Sequence, residues 1–259
     1  MSRVLVKLGG TLLDTPESRQ SLTAQIAGLL RDGHRTVVVH GGGKQMTQFL
    51  TERGIESRFV NGLRVTTPET MDAVVKVLAG TVNHDLVASF AGAGVQAVGV
   101  SGIDAGLVEA VQLDPELGQV GRVTGSNPAL LNVLTENGFL PVVACLAGDR
   151  SGQMYNVNAD QMAVACASAF AADDLVFLTD VDGVRDADGR VLPRLTIADC
   201  ERLIADGVAA GGMQAKLNAA IAALTQGVER VRIANGKTPD VIRKLLAGET
   251  LGTVLTQGG

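Results

Sequence analysis

Short runs rich in β-branched residues alternate with longer amphipathic stretches from one end of the chain to the other, and this order constrains the fold more than any other feature. Arg3 to Leu8, Thr36 to His40, Val95 to Val100, Leu140 to Cys145, Leu175 to Thr179 and Val228 to Ala234 read as strands. Between them, Glu17 to Arg31, Lys44 to Arg53, Pro68 to Phe90, Pro128 to Asn137, Asp160 to Ala171, Ile197 to Ala205, Met213 to Gln226 and Pro239 to Leu246 read as helices. Most strands lack clean two-residue alternation, the pattern of strands covered on both faces. The sequence therefore predicts an α/β fold with a mostly parallel central sheet. Two places break the pattern, near Val108 to Val123 and Arg150 to Val157, where short strands flank Gly, Asp and Pro turns; these read as hairpins that serve as lids or flaps. No Pro/Ser-rich linker, low-complexity tract or repeat divides the chain, so a boundary near residue 172 is a change of lobe, 1–172 and 173–259, rather than a hinge between independent domains.

With 259 residues at 46% hydrophobic composition the chain can bury a large core; with no Trp and one Tyr, that core is packed by Val, Leu, Ile and Ala. The net charge of −5 comes from interspersed acids and bases, without a basic stripe, which argues against nucleic acid as a partner. An acidic protein that binds anions must supply local positive potential from a few placed cations, helix N-termini and glycine-rich amides. Cys145, Cys166 and Cys200 are odd in number and widely spaced, which fits neither a disulfide framework nor a zinc site and predicts a reducing compartment. The N-terminal apolar run is short and interrupted by Lys7, and nowhere are there 18 uninterrupted apolar residues; the expectation is a cytosolic protein with no membrane association.

Chemistry-bearing residues gather at strand ends. In an open parallel sheet ligands collect beyond the carboxyl ends of the strands, and Lys7-Leu8-Gly9-Gly10 puts an ammonium and paired glycines there. A snorkelling lysine before an ordinary turn is the plain alternative. His40-Gly41-Gly42-Gly43-Lys44 repeats the arrangement at a second strand, offering amides and a helix N-terminus without a Walker or GxGxxG signature; His40 reads first as a residue that orients the loop. Arg64, in Asn61 to Thr66, is either a surface arginine or a planar fork for a carboxylate. Asn156, Asn158 and Asp160 place two amides and a carboxylate at a helix start, where capping is the commoner role and polar substrate recognition the alternative. Thr179-Asp180-Val181-Asp182-Gly183-Val184 ends another strand in an acidic turn whose DxDG lacks the later ligands of a calcium loop. Gly211-Gly212 then opens a helix that carries Lys216, an exposed helix lysine or one poised for phosphate oxygens.

Taken in order, KLGG, HGGGK, NGLRVT, NVNAD, DVDGV and GGMQAK resemble the acetylglutamate kinase branch of the amino-acid kinase family, over nearly the whole chain. The resemblance implies a three-layer α/β/α sandwich, with an N-terminal lobe for the acylated amino acid and a C-terminal lobe for ATP. It implies ATP-dependent phosphorylation of the side-chain carboxylate of N-acetyl-L-glutamate, an arginine-biosynthetic step, with Mg2+ carried by the nucleotide. It assigns Lys7 and Lys216 to the transferring phosphoryl group and Asp160 to their orientation. Gly42, Gly43, Arg64 and Asn156 go to the amino-acid substrate with Asn158 in support, Gly9, Gly10, Gly41 and Gly212 to the phosphate loops, and Thr179, Asp180, Val181, Asp182, Gly183 and Val184 to the nucleotide. A carboxylate is already a nucleophile at neutral pH, so alignment and charge neutralisation suffice.

Departures from the pattern are His84 and Ile103, where many relatives carry lysine, and Ala215, where proline is common; they touch nucleotide affinity or lobe closure and leave the phosphoryl-transfer set intact. In arginine-inhibited members an extra N-terminal helix links dimers into a ring. Only two residues precede Arg3 here, and the expectation is a homodimer joined through the N-terminal lobe, the helix from Pro68 to Phe90 being the first candidate surface, with little inhibition by arginine. A sister kinase acting on acylated or carrier-linked 2-aminoadipate differs by one methylene of substrate length. Kinases of carbamate, aspartate and uridylate share the sheet, and a non-catalytic ligand sensor is the reading from another class. A nicotinamide dehydrogenase is disfavoured by the absence of GxGxxG after the first strand.

Overall fold

A computed structural model describes residues 2–258. In chain order the strands are β1 (Arg3–Leu8), β2 (Arg35–His40), β3 (Phe59–Val60), β4 (Leu63–Arg64), β5 (Ala97–Ser101), β6 (Val108–Gln112), β7 (Gly121–Ser126), β8 (Leu140–Ala144), β9 (Leu146–Gly148), β10 (Met154–Asn156), β11 (Asp174–Thr179), β12 (Arg194–Thr196), β13 (Arg230–Asn235) and β14 (Thr253–Thr256). The α-helices are α1 (Pro16–Arg31), α2 (Gly43–Thr51), α3 (Pro68–Val74), α4 (Asn83–Gly92), α5 (Ala129–Glu136), α6 (Ala159–Ala169), α7 (Ile197–Ala205), α8 (Gly211–Thr225) and α9 (Val241–Leu246).

Eight strands form the central sheet in the order β12-β14-β13-β11-β1-β2-β8-β5. Every pairing in it is parallel except that of β13 with β14. Strand alternation sorts its side chains into two apolar clusters, which explains the continuous apolar runs. Val4, Val6, Leu8, Val38, Val142 and Val176 point to one face, where they pack with Ile26 and Leu29 of α1, Leu86 and Phe90 of α4 and Ile242 of α9. Leu5, Val37, Val39, Val143, Leu175 and Phe177 point to the other, with Leu131 of α5, Met162 and Cys166 of α6, Cys200 of α7 and Leu217 and Leu224 of α8. The result is the three-layer α/β/α sandwich. The four strands after residue 172 occupy one half of the sheet and β1, β2, β5 and β8 the other, with the β1/β11 ladder joining the two halves.

Both expected hairpins exist, as β6/β7 and β9/β10, joined in one antiparallel-rich sheet of order β10-β9-β6-β7 beside α6. The helix read from Pro68 to Phe90 is continuous in space but changes winding. Between α3 and α4, Val75–Val82 is π-helical, and its Leu78 and Val82 press on Gly42: a Cβ there would stand 2.6 Å from Leu78 Cδ2. The short strands β12, at one edge, and β14, next to it, carry no strand signal in the sequence.

Candidate active site

Lys7 is the penultimate residue of β1 and lies on the same face as Leu5, so its side chain rises at the C-terminal end of the sheet beneath α6. Its ammonium sits 2.7 Å from Asp160 Oδ1, and Lys216 Nζ, reaching from the second turn of α8, lies 3.3 Å from Asp160 Oδ2. The contact with Lys7 is an ion pair without the alignment of a hydrogen bond, whereas Lys216 donates one to Oδ2. Burial pushes the Asp160 carboxyl up, but the attraction of the Lys7 and Lys216 ammoniums outweighs it and holds the group below its ordinary value. Asp160 is therefore a buried carboxylate between two cations. Asn158 is the N-cap of α6, its side-chain oxygen accepting from the amides of Asp160 and Gln161 at 2.9 and 3.3 Å. The cap reading applies to Asn158, while Asp160 faces the lysines.

Thr15, Thr67, Asn158 and Thr196 cap α1, α3, α6 and α7 with side-chain oxygens. Helices α2 and α8, which begin in the Gly41 to Gly43 and Gly211-Gly212 turns, have neither a side-chain cap nor an acid in the first turn. Their free amides and dipoles give the positive potential that the net charge withholds. Gly9 seals the turn after β1: its amide donates to Leu178 O at 3.0 Å, and a Cβ on it would stand 2.9 Å from the same oxygen. Gly10 begins the short helix that follows. At the end of β11, the exposed Asp180 carboxyl is raised by burial but lowered further by its own amide, the Thr179 and Thr11 hydroxyls and Lys216. Asp182 accepts from Asn235 Nδ2 at 3.0 Å, and Val181 is partly exposed. Gly183 and Val184 turn inward: Val184 is fully buried and its amide donates to Thr253 Oγ1 at 2.8 Å, so these two anchor the loop to β14.

Beside the cations a cavity of about 180 Å³ is lined by Gly41, Gly42, Gly43, Arg64, Asn156 and Asn158, with Leu63, Leu78, Val120 and Cys145 as apolar wall. Arg64 is 8% exposed. Its guanidinium donates to Ser57 Oγ at 2.5 Å, Thr47 Oγ1 at 2.7 Å and Gly43 O at 3.1 Å, and stacks on Phe59 at 4.6 Å. Among the described residues no carboxylate pairs with it; burial lowers its pKa, yet an arginine stays cationic. A buried cation fixed by neutral acceptors and facing a cavity is arranged to receive an anion. Asn156 donates to Thr66 Oγ1 at 3.1 Å, which orients it on the cavity wall.

Residues 2–235 match the amino acid kinase family model. The chain belongs to the amino acid kinase family. An acetylglutamate kinase of Solibacter usitatus (strain Ellin6076) is 67% identical over 251 residues, covering 97% of this chain and 98% of that one. Among solved structures, smu.665 from Streptococcus mutans UA159 superposes with a TM-score of 0.84 at 30% identity, covering 99% of each chain. N-acetylglutamate synthase from Neisseria gonorrhoeae, complexed with coenzyme A and N-acetyl-glutamate, superposes with a TM-score of 0.87 at 25% identity; this chain spans all of its own length but only 60% of that protein.

Within this family member several contributors to the site carried no sequence signal. Thr47, Ser57 and Phe59 hold Arg64 from three directions, and Asp14 ties the two glycine turns together by accepting from Lys44 Nζ at 2.6 Å and Gln45 Nε2 at 3.3 Å. Each is an ordinary residue type whose role depends on a partner that no local motif announces.

Proposed function

We infer that this chain is an ATP-dependent kinase of N-acetyl-L-glutamate, forming N-acetylglutamyl 5-phosphate in arginine biosynthesis. The 67% identity to an acetylglutamate kinase over nearly the full length supports that substrate. The observation that carries the reading is the unpaired, buried Arg64 facing a small cavity next to the Lys7–Asp160–Lys216 cluster. Arg64 would clamp a substrate carboxylate, with Asn156 and the Gly42-Gly43 turn completing recognition. The apolar wall suits the methylenes and acetyl group.

In the transfer step an oxygen of the side-chain carboxylate attacks the γ-phosphorus, its P–O bond forms as the bond to the β-phosphate oxygen breaks, and ADP leaves. No proton moves, because a glutamate-type carboxyl is ionised near neutrality. Lys7 and Lys216 neutralise the phosphoryl oxygens, and Asp160 keeps the two ammoniums at their spacing. The turns that contain Gly10, Gly41 and Gly212 contribute amides to the phosphates, Gly9 shapes the first of them with its own amide held by Leu178 O, and the Thr179 to Val184 segment walls the nucleotide. Mg2+ would ride on the nucleotide phosphates, whose charge it offsets.

A homodimer is part of the reading. Strand β5, Ala-Val-Gly-Val-Ser, is an uncharged sheet edge in the N-terminal half with Val98 and Val100 only half-buried, and it lies against α4 of the helix proposed as the contact. ATP as donor and three unpaired buried thiols favour a cytosolic setting. Initial rates of ADP formation with N-acetylglutamate, N-acetyl-2-aminoadipate, N-acetylaspartate, carbamate and uridylate test the substrate. The expected kcat/KM is at least about tenfold higher for N-acetylglutamate than for its one-methylene homologue; a preference for any other acceptor overturns the assignment.

A further inference from the structure

The geometry points to Asn83 and His40 as positioning residues: a buried polar relay that fixes the carbonyl of Gly41 and, through it, the three-glycine turn walling the acyl amino-acid cavity. This rests on the reading of that cavity given above. His40 is fully buried at the end of β2, on the α4 side of the sheet, and Asn83 at the start of α4 is 2% exposed. His40 Nδ1 lies 2.8 Å from Gly41 O, an oxygen that only accepts, so Nδ1 carries the hydrogen. Nε2 is then the bare nitrogen, and it lies 3.0 Å from Asn83 Nδ2, which only donates. The second hydrogen of the same amide reaches Val142 O at 2.9 Å. Turning the Asn83 amide over would set oxygen against two acceptors, so the network admits one tautomer and one amide orientation.

Three consecutive glycines have little conformational preference of their own, and a turn built from them needs external restraint to present a fixed surface. Gly41 has no side chain by which to be held, which leaves its carbonyl as the handle. The other side of the turn is also gripped: the Cys145 thiol donates to His40 O at 2.9 Å, and Leu78 and Val82 close on Gly42. The relay extends outward as well. A Cβ on Gly99 of edge strand β5 would stand 2.0 Å from Asn83 Oδ1, so the bare backbone at 99 is what lets Asn83 stand where it does. Burial keeps the imidazole neutral, lowering it to about 4, so one hydrogen-bonding pattern persists across the working range of pH.

Two experiments test the relay. Nitrogen-resolved NMR of the imidazoles reads the tautomer directly, and with only His34, His40 and His84 in the chain the signals are assignable by single substitution. His40 should be neutral with hydrogen on Nδ1; a neutral ring with hydrogen on Nε2, or a protonated ring at pH 7, overturns the proposal. The second is steady-state kinetics on His40→Leu, His40→Asn and Asn83→Leu, with folding checked by urea melts. His40→Leu should raise KM for N-acetylglutamate about tenfold, the worth of one buried hydrogen bond, with KM for ATP within about twofold. His40→Asn, whose amide takes the place of Nδ1–H, should recover most of the loss, and Asn83→Leu should shift the same KM in the same direction. Should His40→Leu fail to fold, Gly99→Ala provides the perturbation from outside, displacing Asn83 and raising the same KM. Wild-type KM values in folded His40→Leu, Asn83→Leu or Gly99→Ala refute the relay while leaving the cavity assignment intact. A wild-type enzyme that ignores N-acetylglutamate refutes the cavity assignment itself.

Discussion

Replacing Asp160 by Asn removes one negative charge from between two ammoniums while keeping the shape of the side chain. Two unit charges about 4 Å apart attract by about 4 kcal/mol at an effective dielectric of about 20. Asp160 makes two closer contacts, at 2.7 and 3.3 Å, and the substitution replaces both attractions by an unopposed repulsion between Lys7 and Lys216. The Lys7 side chain is 7% exposed and can rearrange little, whereas Lys216 at 17% on a helix surface can withdraw. Desolvation offsets part of the Coulomb energy, and breaking a buried pair on one side costs about 3–5 kcal/mol. The lower end applies here because Lys216 can move, so urea unfolding at pH 7 should show a loss of about 3 kcal/mol. With the lysines displaced, kcat should fall about a hundredfold. KM for ATP should stay level or decrease, because the crevice has gained positive charge. A folded Asp160→Asn enzyme with kcat within threefold of wild type, or with a raised ATP KM as its only defect, would refute the role given to Asp160.

Arg64→Lys keeps the charge but loses the planar fork held by Thr47 and Ser57; KM for N-acetylglutamate should rise about tenfold or more with little change for ATP, which initial rates at varied concentrations of each substrate will read. Glycine substitutions should divide by position. Gly9→Ala drives a methyl to 2.9 Å from a backbone carbonyl and should cost about 1–3 kcal/mol in a urea melt, whereas Gly43→Ala, with nothing within 4 Å, should fold normally and alter only substrate kinetics. His40 gives a pH signature. Its folded value of about 4 lies below the ordinary 6.5, so below pH 6.5 the unfolded chain takes up a proton that the folded chain refuses. Stability should be level with respect to this group above pH 6.5 and decline by up to about 3 kcal/mol as pH falls towards 4, a slope missing from His40→Asn.

The strand-to-glycine junctions were legible in sequence because each is a local signal: an apolar run, then residues that permit close backbone approach. Lys7 with Gly9 and the Gly41 to Gly43 turn fall where the pattern places them, and the layer order follows from uninterrupted apolar strands. Strands β12 and β14 were not legible, since three or four residues carry too little periodicity, and β14 is defined by its pairing with β12 on one side and β13 on the other. The π-helical stretch Val75–Val82 reads as ordinary helix, because no local residue pattern marks the change of winding there. In the site, the dual nature of Asn158 and Asp160 was visible as an ambiguity that only distances to Lys7 and Lys216 resolve. The supports of Arg64 and the Asn83 relay connect residues 5 to 59 positions apart with no motif to mark them.

The central claim is that a substrate carboxylate oxygen, and no protein group or water, accepts the phosphoryl group. N-acetylglutamate labelled with 18O in its side-chain carboxylate, turned over with ATP in the presence of hydroxylamine, tests this directly. Hydroxylamine attacks the acyl carbon of the product and releases phosphate with the bridging oxygen attached. Mass analysis of that phosphate should find one 18O in each molecule formed, in step with ADP and hydroxamate. Phosphate free of label, or ADP formed without N-acetylglutamate, would contradict the account.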